Sequence, residues 1–113
     1  MQIRNSLDKG EETMEENTYI RRMDEHGKIS IPIPVRGIMK IKENSVLTIH
    51  EEEYGFSVQQ PGKQFAAEHI KIDRDCCFKI PMEIQKSLHL EDGSAFAICV
   101  QDEHIMYISK EKK

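Results

Sequence analysis

Apolar and polar positions alternate or cluster in short runs along this chain, and no run is long. Residues 19–23 and 28–33 are short, β-branched and partly alternating, with Asp24-Glu25-His26-Gly27 between them. This predicts a strand, a turn in which Gly27 is free to take positive φ, and a second strand. Pro32 and Pro34 then end the ladder, since neither can donate to it, and Pro34 suits a first helical turn. Val35, Ile38 and Met39 follow at i, i+3 and i+4, the face of a short helix. Lys42-Glu43-Asn44 is a polar break. Residues 45–50 and 56–59 predict two more strands around a Glu-rich turn with Gly55.

The same layout recurs. A shift of 49 positions lays residues 20–59 on 69–108 without a gap. Asp24 falls on Asp73, Ile31-Pro32 on Ile80-Pro81, Ser45 on Ser94 and Ile49 on Ile98. The apolar positions agree more widely, as in Ile29/Phe78, Val35/Ile84, Leu47/Phe96, Phe56/Ile105 and Val58/Tyr107. The second copy predicts strands near 69–73, 76–80, 94–100 and 104–109, with a helix near 83–89. The order is ββαββ, twice. A unit of about forty residues cannot bury its own core, so each must pair with a second copy. The expected organisation is an acidic, disordered arm over 1–17, a first repeat over 18–59, a linker over 60–68 with Pro61 and Gly62, a second repeat over 69–109, and a tail over 110–113.

Charge changes this picture more than composition does. The 113 residues carry a net −4, which by itself disfavours a polyanion partner. Yet residues 18–40 hold five bases (Arg21, Arg22, Lys28, Arg36, Lys40) against Asp24 and Glu25, while 91–109 hold four acids and no base. A local basic face weighs more for polyanion binding than the total. Without a further motif, those bases read as solvated charges on a hairpin, and Asp24 reads as a turn former rather than a catalytic acid.

The stretch Tyr19-Ile-Arg-Arg-Met-Asp-Glu-His-Gly-Lys-Ile-Ser-Ile-Pro-Ile-Pro-Val-Arg36 resembles the start of the AbrB/MazE/SpoVT family through its Asp-x-x-Gly-basic-x-x-Ile-Pro-x-x-x-Arg core. The resemblance covers 18–59 well and 69–109 faintly. It implies a mainly β fold, a swapped-hairpin β-barrel built from two ββαββ repeats with one short helix each. It further implies a bacterial, cytoplasmic, DNA-binding transcription regulator that contacts double-stranded DNA through Arg21, Arg22, Lys28, Arg36 and Lys40. Lys28 stands where Arg is commoner, and Gly37 where relatives often have a second helix Arg. In the second repeat Ile70, Cys77 and Gln85 stand opposite Arg21, Lys28 and Arg36, and Cys76 replaces Gly27. Lys71, Arg74 and Lys86 remain as bases. That repeat is expected to keep the fold and serve pairing or assembly, within one chain and then in a homo-oligomer, a dimer or higher. The alternative on the same fold is a protein-interaction module, an antitoxin or assembly scaffold with a protein partner. The final strand is expected to end just before Lys113, which weighs against a toxin-wrapping tail.

Other chemistry is thin. There is no Gly-rich phosphate loop, no Gly-x-Ser-x-Gly and no metalloprotease pair, so no enzyme is expected. His26, His50, His69, His89 and His104 have no ligand spacing, and Cys76, Cys77 and Cys99 have no CxxC. No metal or cofactor is expected, and the cysteines read as plain thiols. The longest apolar run, residues 95–100, is too short to span a bilayer, and no apolar signal segment follows Met1.

Overall fold

The computed structural model describes residues 18–62 and 68–110; the acidic arm (1–17), part of the linker (63–67) and the end of the tail (111–113) lie outside the described residues. The first repeat forms β1 (Tyr19–Arg22), β2 (Lys28–Ser30), α1 (Ile33–Met39), β3 (Val46–Glu52) and β4 (Gly55–Gln59). The second forms β5 (Glu68–Lys71), β6 (Cys77–Lys79), α2 (Met82–Ser87), β7 (Ala95–Gln101) and β8 (His104–Ser109). The fold is mainly β, with the ββαββ order in both halves.

Most element boundaries shift by one to three residues from the sequence expectation, and two of the shifts have a clear local cause. The second strand stops at Ser30 rather than running to 33: Ile31 still donates in ladder register to the Cys76 carbonyl at 3.0 Å, and Pro32, which has no N–H, cannot extend the pairing. The second helix ends at Ser87 rather than 89. His89 takes φ 56°, as Lys40 takes φ 57° at the end of α1, and a left-handed residue closes a helix.

Six strands make one antiparallel sheet in the order β1-β7-β8-β4-β3-β5, and β2 pairs with β6 in a second, two-stranded sheet. The two halves exchange strands. β1 of the first repeat pairs with β7 of the second, and β5 of the second pairs with β3 of the first. β4 and β8 join across the middle. These ladders leave β1 and β5 as edges and do not close the sheets into a barrel.

The 49-residue shift is also the rule of the hydrogen bonds. Ile31 N–H donates to the Cys76 carbonyl, and Ile80 N–H to the Gly27 carbonyl. Asn44 N–H donates to the Ile72 carbonyl, and Gly93 N–H to the Met23 carbonyl. Each bond crosses between repeats and has its mate 49 positions on. The ladder pairs Ile29↔Phe78 and Ser57↔Met106 join residues that are equivalent to each other, so an internal two-fold axis passes through both.

Side-chain alternation sends one face of the large sheet inward. Leu47, Ile49, Phe56, Val58, Phe96, Ile98, Ile105 and Tyr107 are buried there, and Ile29 and Phe78 of the small sheet meet them. The Phe56 and Tyr107 rings stack at 4.7 Å, and Phe78 stands edge-on to Tyr107 at 5.7 Å. Tyr107 also donates its hydroxyl to the Ser30 carbonyl at 3.0 Å, so the one polar atom of the aromatic cluster is satisfied across the repeats. Ile31 and Ile80 are both buried, as the shared-core reading requires.

Ring volume is uneven about the axis. The second repeat brings Phe78, Phe96 and Tyr107 where the first has Ile29, Leu47 and Val58, while Phe56 faces Ile105 in the reverse sense. Two second repeats pairing together would set Phe78 against Phe78 and overpack the axis. Two first repeats would set Ile29 against Ile29 and underpack it. Both errors destabilise, so the core favours the unlike pair found within this chain.

Candidate nucleic-acid interface

The turn that carries the motif is built by Asp24. Its Oδ1 accepts the N–H of His26 at 2.8 Å and of Lys28 at 2.9 Å, while Gly27 sits at φ 79° and donates to the Asp24 carbonyl. Asp73 repeats this in the second half, accepting from Asp75 and Cys77. There Cys76 holds φ 58° in place of the glycine. Asp24 is therefore a turn former.

The Lys28 amide, and secondarily that of His26, holds the Asp24 carboxyl below its ordinary range. The Cys77 amide and then the Lys28 ammonium do the same for Asp73. A carboxyl lowered on folding stabilises the fold above its unfolded pKa of about 3.9, and that contribution is lost as pH falls through the lowered folded value. The urea midpoint should therefore drop between about pH 5 and pH 2, and Asp73→Asn should flatten that drop. An unchanged pH profile in the variant would contradict this role for Asp73.

The five bases of residues 18–40 do not share one face. Arg21 and Arg22 are neighbours on β1, so they point to opposite faces of the sheet. Arg21 pairs in register with Phe96 and is half-buried, with an Nη1 bond to the Ile20 carbonyl at 2.8 Å. Burial pushes the Tyr107 phenol far up, and the Arg21 charge partly opposes that push. Arg22 is exposed on the other face and donates to the Gly93 carbonyl at 2.9 Å, in the loop after α2.

Lys28 reaches across the repeats to Asp73, Nζ to Oδ2 at 3.0 Å, and that hydrogen bond raises its pKa. Its ladder partner is Lys79, so the ion pair also offsets a like-charge neighbour. Arg36, the fourth residue of α1, returns its Nε to the Ile31 carbonyl at 3.0 Å. Gln85 does the same in α2, donating to the Ile80 carbonyl. This position thus brackets the helix start in both repeats, and Arg36 adds the outer guanidinium nitrogens. Lys40 is exposed at the end of α1. It lines a cleft with Gln60 and the turn residues Asp102 and Glu103 of the β7–β8 hairpin.

The exchange of hairpins explains the dispersal. The turn of each repeat sits over the helix of the other: a Cβ placed on Gly27 would meet the Gln85 side chain of α2. Glu25, His26, Lys79, Met82, Gln85, Glu91 and Asp92 line the cleft between that turn and α2. By the internal axis, Arg74 of the second turn comes over α1, the helix of Arg36. Arg74 and Lys42 were the bases least marked by the motif. Their signal lies in the repeat alignment, where they stand opposite Glu25 and Glu91.

Cys76, Cys77 and Cys99 are half-buried thiols, and burial, then Asp73, pushes the Cys77 thiol up, away from the reactive thiolate. Cys77 is half-buried, as Lys28 is at the equivalent position of the first repeat. Among the described residues no group of three or more His, Cys, Asp or Glu is placed to hold a metal ion, and no helix is long and apolar enough to cross a membrane. No protein-family model matches the chain, and no curated protein matches it.

Proposed function

We propose that this chain is a cytoplasmic DNA-binding transcription regulator on a swapped-hairpin β-barrel, with the two repeats standing in for the two subunits of an AbrB-like dimer. The observation that carries the reading is the reciprocal strand exchange, β1 with β7 and β5 with β3, about an internal two-fold axis. That exchange is what the Asp24–Arg36 motif implies by resemblance. In this reading the β2–β6 pair closes the large sheet around the core. Arg22 and the outer nitrogens of Arg36 meet base edges or phosphates, Arg21, Lys28 and Lys40 supply further positive charge, and regulation is occupation of promoter DNA without chemistry.

Fluorescence anisotropy on the gene's upstream duplex and a scrambled duplex tests it. Binding should be polyelectrolyte in character, and weaker at about 200 mM salt than at about 50 mM. Arg36→Ala should remove about 1–3 kcal/mol if the guanidinium forks onto a guanine, and relax specificity at that base. Lys28→Ala should weaken both duplexes alike and lower the salt slope by about one. No binding at low salt, or unchanged affinity in both Arg22→Ala and Arg36→Ala, would instead support a protein-interaction module, an antitoxin or scaffold. The engagement of Lys28 by Asp73 and the placement of Lys40 beside Asp102 and Glu103 favour that second reading.

A further inference from the structure

The internal axis relates two ends of the molecule that are built from equivalent positions and differ in charge. One end is the cleft under the first turn. It gathers Glu25, Glu91 and Asp92 against the single base Lys79, a net −2, around Met82, which is 53% exposed. The equivalent positions at the other end, 49 residues away in sequence, are Arg74, Lys42 and Glu43 against Ser30, around Ile33. Arg36 replaces Gln85 there and Asp75 replaces His26, giving three bases and two acids, a net +1. Ile33 is 69% exposed. Both large apolar side chains open their helices, and among the described residues both are exposed.

We infer that the chain associates with itself head to tail, the Ile33 end of one copy docking on the Met82 end of the next. Opposite charge rims around an apolar centre are complementary to each other and not to themselves. Two basic ends, or two acidic ends, would repel. A partner that was only a polyanion would use the basic end and leave the exposed Met82 and its acidic rim unaccounted for. A second copy covers both with one contact. Because the surfaces are different patches, the contact is heterologous and repeats beyond a dimer. This inference does not rest on the DNA reading, since it uses both ends and no nucleic acid.

Sedimentation velocity on the full chain, without nucleic acid, tests it. The mean mass should rise with protein concentration beyond a dimer at about 50 mM salt and fall back toward monomer at about 500 mM. Arg74→Glu with Lys42→Glu makes both ends acidic; Glu91→Lys with Asp92→Lys makes both ends basic. Each variant should be monomeric alone with an unchanged thermal transition, and an equimolar mixture should regain association. If either double variant lost its fold, Arg74→Gln and Asp92→Asn should each still lower the mean mass. A wild-type chain that stays monomeric at every concentration overturns the inference, as does association that both variants leave intact. A monomer that binds duplex DNA through Arg74 and Lys42 would assign the basic end to a polyanion instead.

Discussion

Ile80→Ala should destabilise the protein by about 2–5 kcal/mol, with both repeats unfolding in the same transition. Ile80 is fully buried in the cluster that also holds Ile31, Val35, Phe56 and Tyr107 of both repeats. Its main chain is equally committed: the N–H bonds the Gly27 carbonyl of the first repeat, and the carbonyl accepts the Gln85 side chain. Removing three carbons from this site leaves a cavity between rigid ladders, which cannot collapse to fill it. The strand exchange makes the loss common property, since β1 has no ladder partner without β7 and β5 has none without β3. Urea denaturation followed by hydrogen exchange at amides of both repeats checks this. Loss of protection confined to the second repeat would show that the halves are separate cores.

Gly55→Ala should cost of order 3 kcal/mol, a large effect for one methyl group. Gly55 opens β4 and pairs with Ile108 in the central β4–β8 ladder. A Cβ on Gly55 would run into the carbonyl oxygen of Tyr107, a backbone atom that cannot swing aside as a side chain end would. Relief requires β4 and β8 to part at the ladder where the repeats join, beside the stacked Phe56–Tyr107 pair. Gly37→Ala is the control, because a Cβ there meets nothing. In a helix that change should be neutral or stabilising by up to about 1 kcal/mol. Thermal melts of the two variants side by side read the difference, and equal shifts would remove the steric account.

Local features of this fold were readable in the sequence because they rest on local rules. Hydrophobic alternation marked all eight strands, and Pro32 with Pro34 marked the start of α1. The shift of 49 found the symmetry that the hydrogen bonds later obey, down to Asp24/Asp73 in the turns and Ser45/Ser94 after the helices. Partner choice was not readable. Alternation tells which side of a strand is apolar and says nothing of which strand lies beside it, so the exchange of β1 and β5 rested on resemblance. The placement of the basic side chains was not readable for the same reason. Sequence neighbours Arg21 and Arg22 diverge, Lys28 answers to Asp73 in the other repeat, and the hairpin exchange moves Arg74 toward α1. The end of the second helix was missed because His89 takes left-handed φ without being glycine.

The charge blocks gain a different meaning once the exchange is known. The basic residues 18–40 and the acidic residues 91–109 are separate stretches of the sequence, yet Arg22 binds the Gly93 loop and Lys40 lines one cleft with Asp102 and Glu103. Part of the basic stretch therefore lies beside the acidic stretch within the fold, and part does not. Which part is which follows from the pairing of the repeats.

That pairing is the central claim, and isotope-filtered NOE spectroscopy tests it directly. In a sample mixed, after unfolding and refolding, from labelled and unlabelled chains, contacts between β1 and β7 (Arg21 with Phe96) and between β2 and β6 (Ile29 with Phe78) should arise only within a chain. Filtered cross-peaks between chains at these pairs, or cross-peaks joining Ile29 to Ile29 and Phe78 to Phe78, would show that the repeats pair like with like across two chains and would contradict it.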